Sequence, residues 1–266
     1  MAPIQVDSAV EKDDLFIPLI DFSQYTSPTA TPAARQATAQ SLLAGFQRAG
    51  FVYLKNHGIA RSTVASVFSH SARFFARPQQ QKDALAWYSP RANRGYVAHG
   101  REKVTRADFG GDVEALRKQV PDLKESMEIG REGEEGCSLT LLFQDDRGGL
   151  QVLSPKGTFV DATPIPDTIV INAGDLLERW ANDTIKSTKH RVVEPPPKPG
   201  QESLDKYPAR YSVAYFCNPD FDKVIEAIPG TYEEGKQKYP AVLSGDYLAK
   251  RLSETYGDLD KYELKT

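Results

Sequence analysis

Between residues 16 and 76 the apolar positions change period at each turn signal. Phe16–Phe22 (FIPLIDF) is a short apolar run broken by Pro18. Proline removes a ladder hydrogen bond, so the run predicts an edge strand. Pro32–Ala49 takes a helical period, with Leu42, Leu43, Phe46 and Ala49 on one face and Gly50 as its stop. Phe51–Lys55 then predicts a strand and Asn56-His57-Gly58 its turn. A second helix is predicted over Arg61–Ala76, with Val64, Val67, Phe68, Phe74 and Phe75 as its buried stripe and Pro78 as its end. Residues 89–111 have no clear period, 112–120 predict a short helix, and 124–130 (KESMEIG) read as extended.

The second half carries a different pattern. Short apolar segments recur at Leu139–Phe143, Leu150–Leu153, Thr158–Val160, Thr168–Asn172, His190–Val193 and Arg210–Phe216. Gly148-Gly149, Lys156-Gly157 and Ala173-Gly174-Asp175 punctuate them. Many short strands between turns predict a sandwich or jelly roll. A Pro-rich loop follows Val193, and a last helix is predicted over Tyr247–Tyr256 with Leu248 and Leu252 inward. The chain thus divides into a flexible stretch 1–15, an N-terminal helical and mixed region 16–132, and a C-terminal jelly-roll part 138–266 that ends in a helix.

Composition narrows the function classes. A chain of 266 residues with 40% hydrophobic and 26% charged residues suits a soluble globular protein. The net charge of −3 gives no basic field to recruit a nucleic acid polymer or an anionic membrane. No apolar run reaches membrane-spanning length. The polar start has no signal-peptide pattern. Two cysteines, Cys137 and Cys217, make no disulfide scaffold. The expected setting is the reducing cytoplasm. Asn182-Asp183-Thr184 matches the glycosylation pattern, a chance match in that setting.

Candidate chemistry concentrates near the C-terminal end. On a strand alternate residues share a face, which groups Arg210, Ser212, Ala214 and Phe216 against Tyr211, Val213 and Tyr215. A guanidinium and a hydroxyl on one inward face form a carboxylate clamp. His190, opening the preceding strand, offers an imidazole to a metal near it. The plainer alternative is a structural histidine and an arginine paired with a buried acid.

Long stretches of the chain resemble the isopenicillin-N-synthase-like branch of the Fe(II)/2-oxoglutarate-dependent dioxygenases, and most of all its fungal thymine-7-hydroxylase type. They are FIPLIDF, GFQRAGFVYLKNHGI, ANRGYVAHGREKV, DLKESMEIGRE, SLTLLFQDDRGGLQVLSPKGTFVDATPIP, INAGDLLERWANDTIKSTKHRVVEPP and YPARYSVAYFCNPD. The resemblance implies an α+β fold: a double-stranded β-helix (jelly-roll) core with N-terminal helices packed on it. It implies Fe(II) as cofactor, 2-oxoglutarate as co-substrate, and dioxygen with a small metabolite or nucleobase-like substrate as partners. His190 takes the place of the distal iron histidine. Arg210 and Ser212 take the R-x-S clamp. Asn93, Arg94, Tyr96 and Phe216 become candidate substrate contacts.

The resemblance breaks at one place. The family's other two iron ligands come from an H-x-D motif just before the SLTLLFQDD strand, and no H-x-D occurs in this chain. Gly133-Glu134-Glu135-Gly136-Cys137 stands there instead, with Glu135 at the carboxylate position. The simplest account is an internal deletion ending near Cys137, which leaves the jelly roll incomplete. One histidine, with Glu135 as the sole substitute carboxylate, falls short of the usual 2-His-1-carboxylate set. The expected activity is therefore an oxygenase by family. The alternative is a catalytically impaired relative, or a truncated gene model, that at most binds 2-oxoglutarate. His57, His70 and His99 are expected in a turn, on an exposed helix face and in a loop. Asp145-Asp146 is expected in a hairpin turn, and Asp175 and Asp183 in caps or turns.

Overall fold

The structure, a computed structural model, describes residues 7–86, 94–99, 124–130, 138–195 and 208–256, with side chains up to Arg251. In chain order its elements are β1 (Asp7–Lys12), β2 (Leu15–Asp21), α1 (Ser23–Thr26), α2 (Pro32–Ala49), β3 (Phe51–Lys55), α3 (Arg61–Phe75), α4 (Gln79–Asp83), β4 (Gly95–Val97) and β5 (Ser126–Glu128). There follow β6 (Leu139–Gln144), β7 (Leu150–Leu153), β8 (Phe159–Asp161), β9 (Thr168–Ala173), α5 (Asp175–Trp180), β10 (His190–Val192), β11 (Ser212–Cys217), β12 (Val224–Ile225), β13 (Val242–Leu243) and α6 (Ser244–Tyr256). None of the described helices is long and apolar enough to cross a membrane.

The chain forms two compact units, residues 1–72, 137–217 and 226–240 in one, and 73–136, 218–225 and 241–266 in the other. They interleave, so the expected boundary between 132 and 138 is only one of several places where the chain changes unit.

The first unit is a jelly roll of two sheets. Six strands run in the order β1-β2-β3-β9-β6-β11, and three in the order β10-β7-β8. From β6 to β11 the chain passes between the sheets four times, which is the winding expected of the fold. Phe51, Tyr53 and Val170 of the larger sheet bury against Leu150, Val152 and Val160 of the smaller one, and Leu142 packs on this cluster. The outer face of the larger sheet buries Ile20, Val52, Leu54, Ile169 and Ile171, with Leu42 and Phe46 of α2 packed against them. Alternation along β3 and β9 separates the two cores, one set of residues inward and the next outward.

Local signals explain the α2–β3 corner. Thr31 caps α2 by accepting from the Ala34 N–H, with Pro32 in the first turn. Gly50 ends it at φ +69°, and a Cβ there would lie 2.3 Å from the Lys186 carbonyl oxygen. The chain can turn into β3 and still receive the loop that leads to β10 only because that atom is missing.

Four expectations need correction. FIPLIDF is no edge strand: β1, from the stretch expected to be flexible, pairs with it on one side and β3 on the other. Pro18 is tolerated because the β1 register shifts between Ser8 and Val10, and the β3 ladder begins only at Leu19. The α3 stripe is half-buried at most, with Val67 exposed, because no residue of α3 is fully covered. Leu43 is exposed as well, since Leu42 and Phe46 suffice to fill the groove on β3 and β9. The predicted helix over 112–120 lies outside the described residues, as does the side chain of Leu252.

In the second unit β4 and β5 form an antiparallel pair. Lys82 of α4 donates to Glu125 Oε2 at 2.6 Å, and the Tyr96 hydroxyl donates to the same oxygen at 2.6 Å. β12 pairs with β13, which leads into α6.

Candidate functional site

The register of the larger sheet decides which way β11 faces. Ser212 pairs with Gln144, Ala214 with Leu142 and Phe216 with Thr140. Cross-strand partners share a face. Leu142 packs on the inner core, so Ser212, Ala214 and Phe216 face the interior of the jelly roll. Val213 and Tyr215 pair with Phe143 and Leu141, which pack on the outer core. The alternation expected from the sequence is the one found.

Arg210 lies just before the strand rather than on it. Asp145 fixes its neighbourhood: Asp145 Oδ2 accepts from the Tyr211 N–H at 2.6 Å, and the Asp145 N–H donates to the Tyr211 carbonyl at 3.1 Å. Asp145 Oδ1 also accepts from the Arg147 N–H, which makes the hairpin turn expected there. Arg210 is half-buried, and its Nε donates to the Gly148 carbonyl at 2.6 Å. That bond fixes the plane of the guanidinium, whose Nη atoms make no hydrogen bond among the described residues. Burial works against its charge, and the Asp145 carboxylate favours it.

His190 is brought up by a tethered loop. Glu178 of α5 accepts from the Ser187 N–H at 2.9 Å, the Lys186 N–H donates to the Phe46 carbonyl at 3.1 Å, and Leu153 donates to the Lys189 carbonyl. His190 then pairs with Val152. Its ring stands edge-on to Phe51 of the inner core, centroids 5.4 Å apart. The Nδ1–H donates to the Thr188 carbonyl at 3.2 Å, which leaves Nε2 with its lone pair free. Water still reaches the side chain, yet protein surrounds enough of the ring for desolvation to lower its pKa. The neutral, metal-ready form is thereby favoured.

The two features are neighbours. Val192 pairs with Leu150, and the Val193 N–H donates to the Gly149 carbonyl, so β10 ends beside the turn that Arg210 contacts. Gly149, at φ +91°, permits this: a Cβ would lie 2.5 Å from the Val193 carbonyl and 3.6 Å from Arg210 Nε. His190 is two residues back along β10, roughly 7 Å along the strand. Both β10 and β11 are terminal strands of their sheets, and both are largely exposed, with Phe216 at 48%. The interior is open where the candidate residues stand.

The remaining candidates divide. Glu135 and Asn93 lie outside the described residues. Arg94 and Tyr96 belong to the second unit. The Arg94 guanidinium rests against Gly130, where a Cβ would meet Cζ at 2.5 Å. Tyr96 must be corrected: it is 1% exposed, its hydroxyl is engaged by Glu125 and Gln79, and Lys82 stands over its ring. It is a core residue of its own unit rather than a ligand contact.

The other carboxylates and histidines of the sequence are accounted for. Asp183 accepts from Lys238 Nζ and the Tyr239 hydroxyl, both at 2.7 Å, and Asp175 stands in the first turn of α5. His57 packs on Phe143, an outer-face residue. The His70 Nδ1 bonds within its helix to the Ser66 carbonyl, and His99 is exposed in the second unit. Asn182 is buried and accepts from the Lys238 N–H, so its sequence pattern marks a folded turn. Burial raises the pKa of the Cys217 thiol, which keeps it protonated, and Cys137 lies outside the described residues. Among the described residues no three His, Cys, Asp or Glu side chains cluster to hold a metal ion. Sequence reasoning passed over Asn172, a buried polar residue on the inner face, since one asparagine among INAG gives no signal of its own.

Comparison with known proteins places the chain. Residues 17–145 match the non-haem dioxygenase in morphine synthesis N-terminal model, and residues 117–219 match the 2OG-Fe(II) oxygenase superfamily model. The solved thymine-7-hydroxylase of Neurospora crassa in complex with alpha-KG is 40% identical, with 94% of this chain and 100% of that chain covered, and a TM-score of 0.82. The chain belongs to the 2OG-Fe(II) oxygenase superfamily. Oxygenases of this superfamily use iron and 2-oxoglutarate. Among curated relatives, the 2-oxoglutarate-Fe(II) type oxidoreductase hxnY of Emericella nidulans is 37% identical over 144 residues, 53% of this chain and 38% of its own length. The 2-oxoglutarate-dependent dioxygenase frbA of Dothideomycetidae sp. (strain 11243) is 26% identical over 330 residues, 97% of its length. Only 90% of this 266-residue chain takes part in that alignment, so roughly ninety aligned positions have no residue here.

Set against the family's metal, the described residues do not fit. His190 offers Nε2 in the right tautomer, but the described residues bring no second histidine and no carboxylate beside it. The clamp for the co-substrate does fit: a half-buried guanidinium, held in plane at Nε and open at Nη, with the Ser212 hydroxyl on the inward face.

Proposed function

We propose that this chain is a 2-oxoglutarate-binding member of the oxygenase superfamily, which keeps the co-substrate clamp and lacks the ligand set for catalytic iron. The observation that carries this reading is Arg210. Its Nε is spent on the Gly148 carbonyl while its Nη atoms have no partner among the described residues. A half-buried arginine so held is prepared to take a carboxylate in a bidentate fork, and Ser212 adds a hydroxyl. His190 and the outlying Glu135 are the only iron ligands the chain is expected to offer. Chemistry that depends on bound iron is accordingly not carried through.

Isothermal titration with 2-oxoglutarate tests the clamp. Binding to the intact chain and its loss in Arg210→Ala are the expected results. An intact, folded chain that takes up no 2-oxoglutarate would remove the reading. Iron-dependent succinate formation at enzymatic rates would remove its second half.

A second reading is favoured by the solved relatives. The Neurospora crassa enzyme is also known in complex with alpha-KG and thymine, at 40% identity and TM-score 0.82. On that reading the substrate is a small nucleobase-like molecule, Phe216 stacks on its ring, and the reaction is hydroxylation. Thymine-stimulated succinate release decides for it.

A further inference from the structure

We infer that Asn172 is a ligand-binding residue of the open interior, and that its carboxamide pairs with a neutral planar ligand carrying a donor and an acceptor side by side, as a lactam or imide does. This rests on the nucleobase-like reading above and names a residue for it.

Register places Asn172 without ambiguity. It pairs with Phe51 on one side and Thr140 on the other, and Thr140 pairs with Phe216. Phe51, Asn172, Thr140 and Phe216 are therefore one row across β3, β9, β6 and β11, on a single face. That face is the inner one, because Phe51 and Val170 belong to the inner core while Ile169 and Ile171 belong to the outer one. His190 stands edge-on to Phe51, at the start of the same row.

Asn172 is 7% exposed, its carboxamide has no hydrogen-bond partner among the described residues, and it is not one of the fully enclosed unpartnered groups, so its polar edge keeps contact with solvent. Amides this buried are usually partnered, and water or a ligand can meet such an edge. Phe216, half-exposed on the same face, offers an aromatic platform two strands away, roughly 10 Å from Asn172. One six-membered heterocycle seated on Phe216 turns its edge toward β9. No charged side chain stands in the row, so the matching ligand is neutral. A carboxamide supplies one donor and one acceptor group in a plane, which complements the adjacent C=O and N–H of a lactam. Arg210, on the far side of Ser212, is left to the carboxylate of 2-oxoglutarate.

The test uses uracil as the probe, titrated into the full chain, Asn172→Leu and Asn172→Asp with 2-oxoglutarate saturating, and followed by ligand-observed NMR. A parallel titration measures 2-oxoglutarate alone, and far-UV circular dichroism checks the fold. The expected result is a loss of uracil affinity of tenfold or more in both variants, with 2-oxoglutarate affinity within twofold of the parent. If Asn172→Leu does not fold, Asn172→Asp decides, since it keeps the volume and removes the donor. Parent-like uracil affinity in the folded variants overturns the role of Asn172 while the nucleobase-like reading stands. Uracil that fails to bind the parent, with 2-oxoglutarate bound, overturns both and assigns the carboxamide to a fixed water.

Discussion

Lys82 is a charged group in the core of its unit, and its neighbours explain how it can be there. Its side chain is 7% exposed, and Nζ donates to Glu125 at 2.6 Å and to the Phe75 carbonyl at 3.2 Å. Burial raises the Glu125 pKa, but hydrogen bonds from Lys82 and Tyr96 and the Lys82 charge outweigh it, and the net shift is downward. Burial likewise lowers the Lys82 pKa, and the Glu125 contact more than restores it. The signs then give a pH window. A depressed carboxylate stabilises fully above its unfolded pKa of 4.5 and loses that as pH falls through the folded value. A raised lysine stabilises fully below 10.5 and loses it as pH rises through its folded value. Removing one partner of such a pair leaves an uncompensated buried charge, so Glu125→Gln should cost about 3 kcal/mol at neutral pH. Urea unfolding at neutral and acid pH checks it: the difference from the parent should shrink as the parent's own Glu125 protonates. A pH-independent difference would show that the charge plays no part. Tyr96, in this same network, shows what the sequence conceals at this scale. Its place in ANRGY suggested a ligand contact, but the acid that occupies its hydroxyl is 29 residues away.

Elements were legible wherever one period and one stop signal coincided. α2, β3, β6, β7 and β9 stand within a residue or so of their expected ranges, because alternation or helical spacing ends at Gly50, Gly148 or Gly174. β1 was not legible, since its one fully buried residue, Val10, leaves no alternation to read. Helix-to-sheet distance was equally hidden. A Cβ on Gly45 of α2 would lie 2.5 Å from Val52 Cγ1 and 2.9 Å from Pro18 Cγ, so α2 sits on β2 and β3 at a separation only glycine allows. Gly45→Ala, which would help an isolated helix, should here destabilise by about 2 kcal/mol through overpacking, read as a lower urea midpoint. A stabilised variant would mean that the corner relaxes freely. β11 raises a different matter. It is terminal in its sheet, six residues long, uncharged and free of proline, with Tyr215 64% exposed. Edges usually carry charges or bulges that block pairing with other chains. Light scattering that rises with concentration is expected, and Tyr215→Lys should suppress it. Tyr215 faces away from the inner row, so 2-oxoglutarate binding should be unchanged.

At the scale of the molecule, the family could be read from sequence, and the described residues bring together only part of the site expected for it. His190, Arg210 and Ser212 gather at the open side of the first unit, while no H-x-D motif occurs in the sequence. This separates two contributions that an intact oxygenase combines. On the proposed reading the clamp takes the distal carboxylate through Arg210, whereas the keto acid end of 2-oxoglutarate normally relies on metal. A chain with the first and without the second should not distinguish 2-oxoglutarate from glutarate, which has both carboxylates and no keto group. Ligand at about a hundredfold over its dissociation constant stabilises the folded state by about 2.7 kcal/mol. At roughly 2–4 °C per kcal/mol for a chain of this size, the melting midpoint should rise by about 5–10 °C. Both dicarboxylates should give that rise, Arg210→Ala should abolish it, and Fe(II) under anaerobic conditions should add nothing for either. A further rise with Fe(II) confined to 2-oxoglutarate would mean that the keto acid is chelated after all. The missing ligands would then have to come from residues outside the described part of the chain, Glu135 first among them.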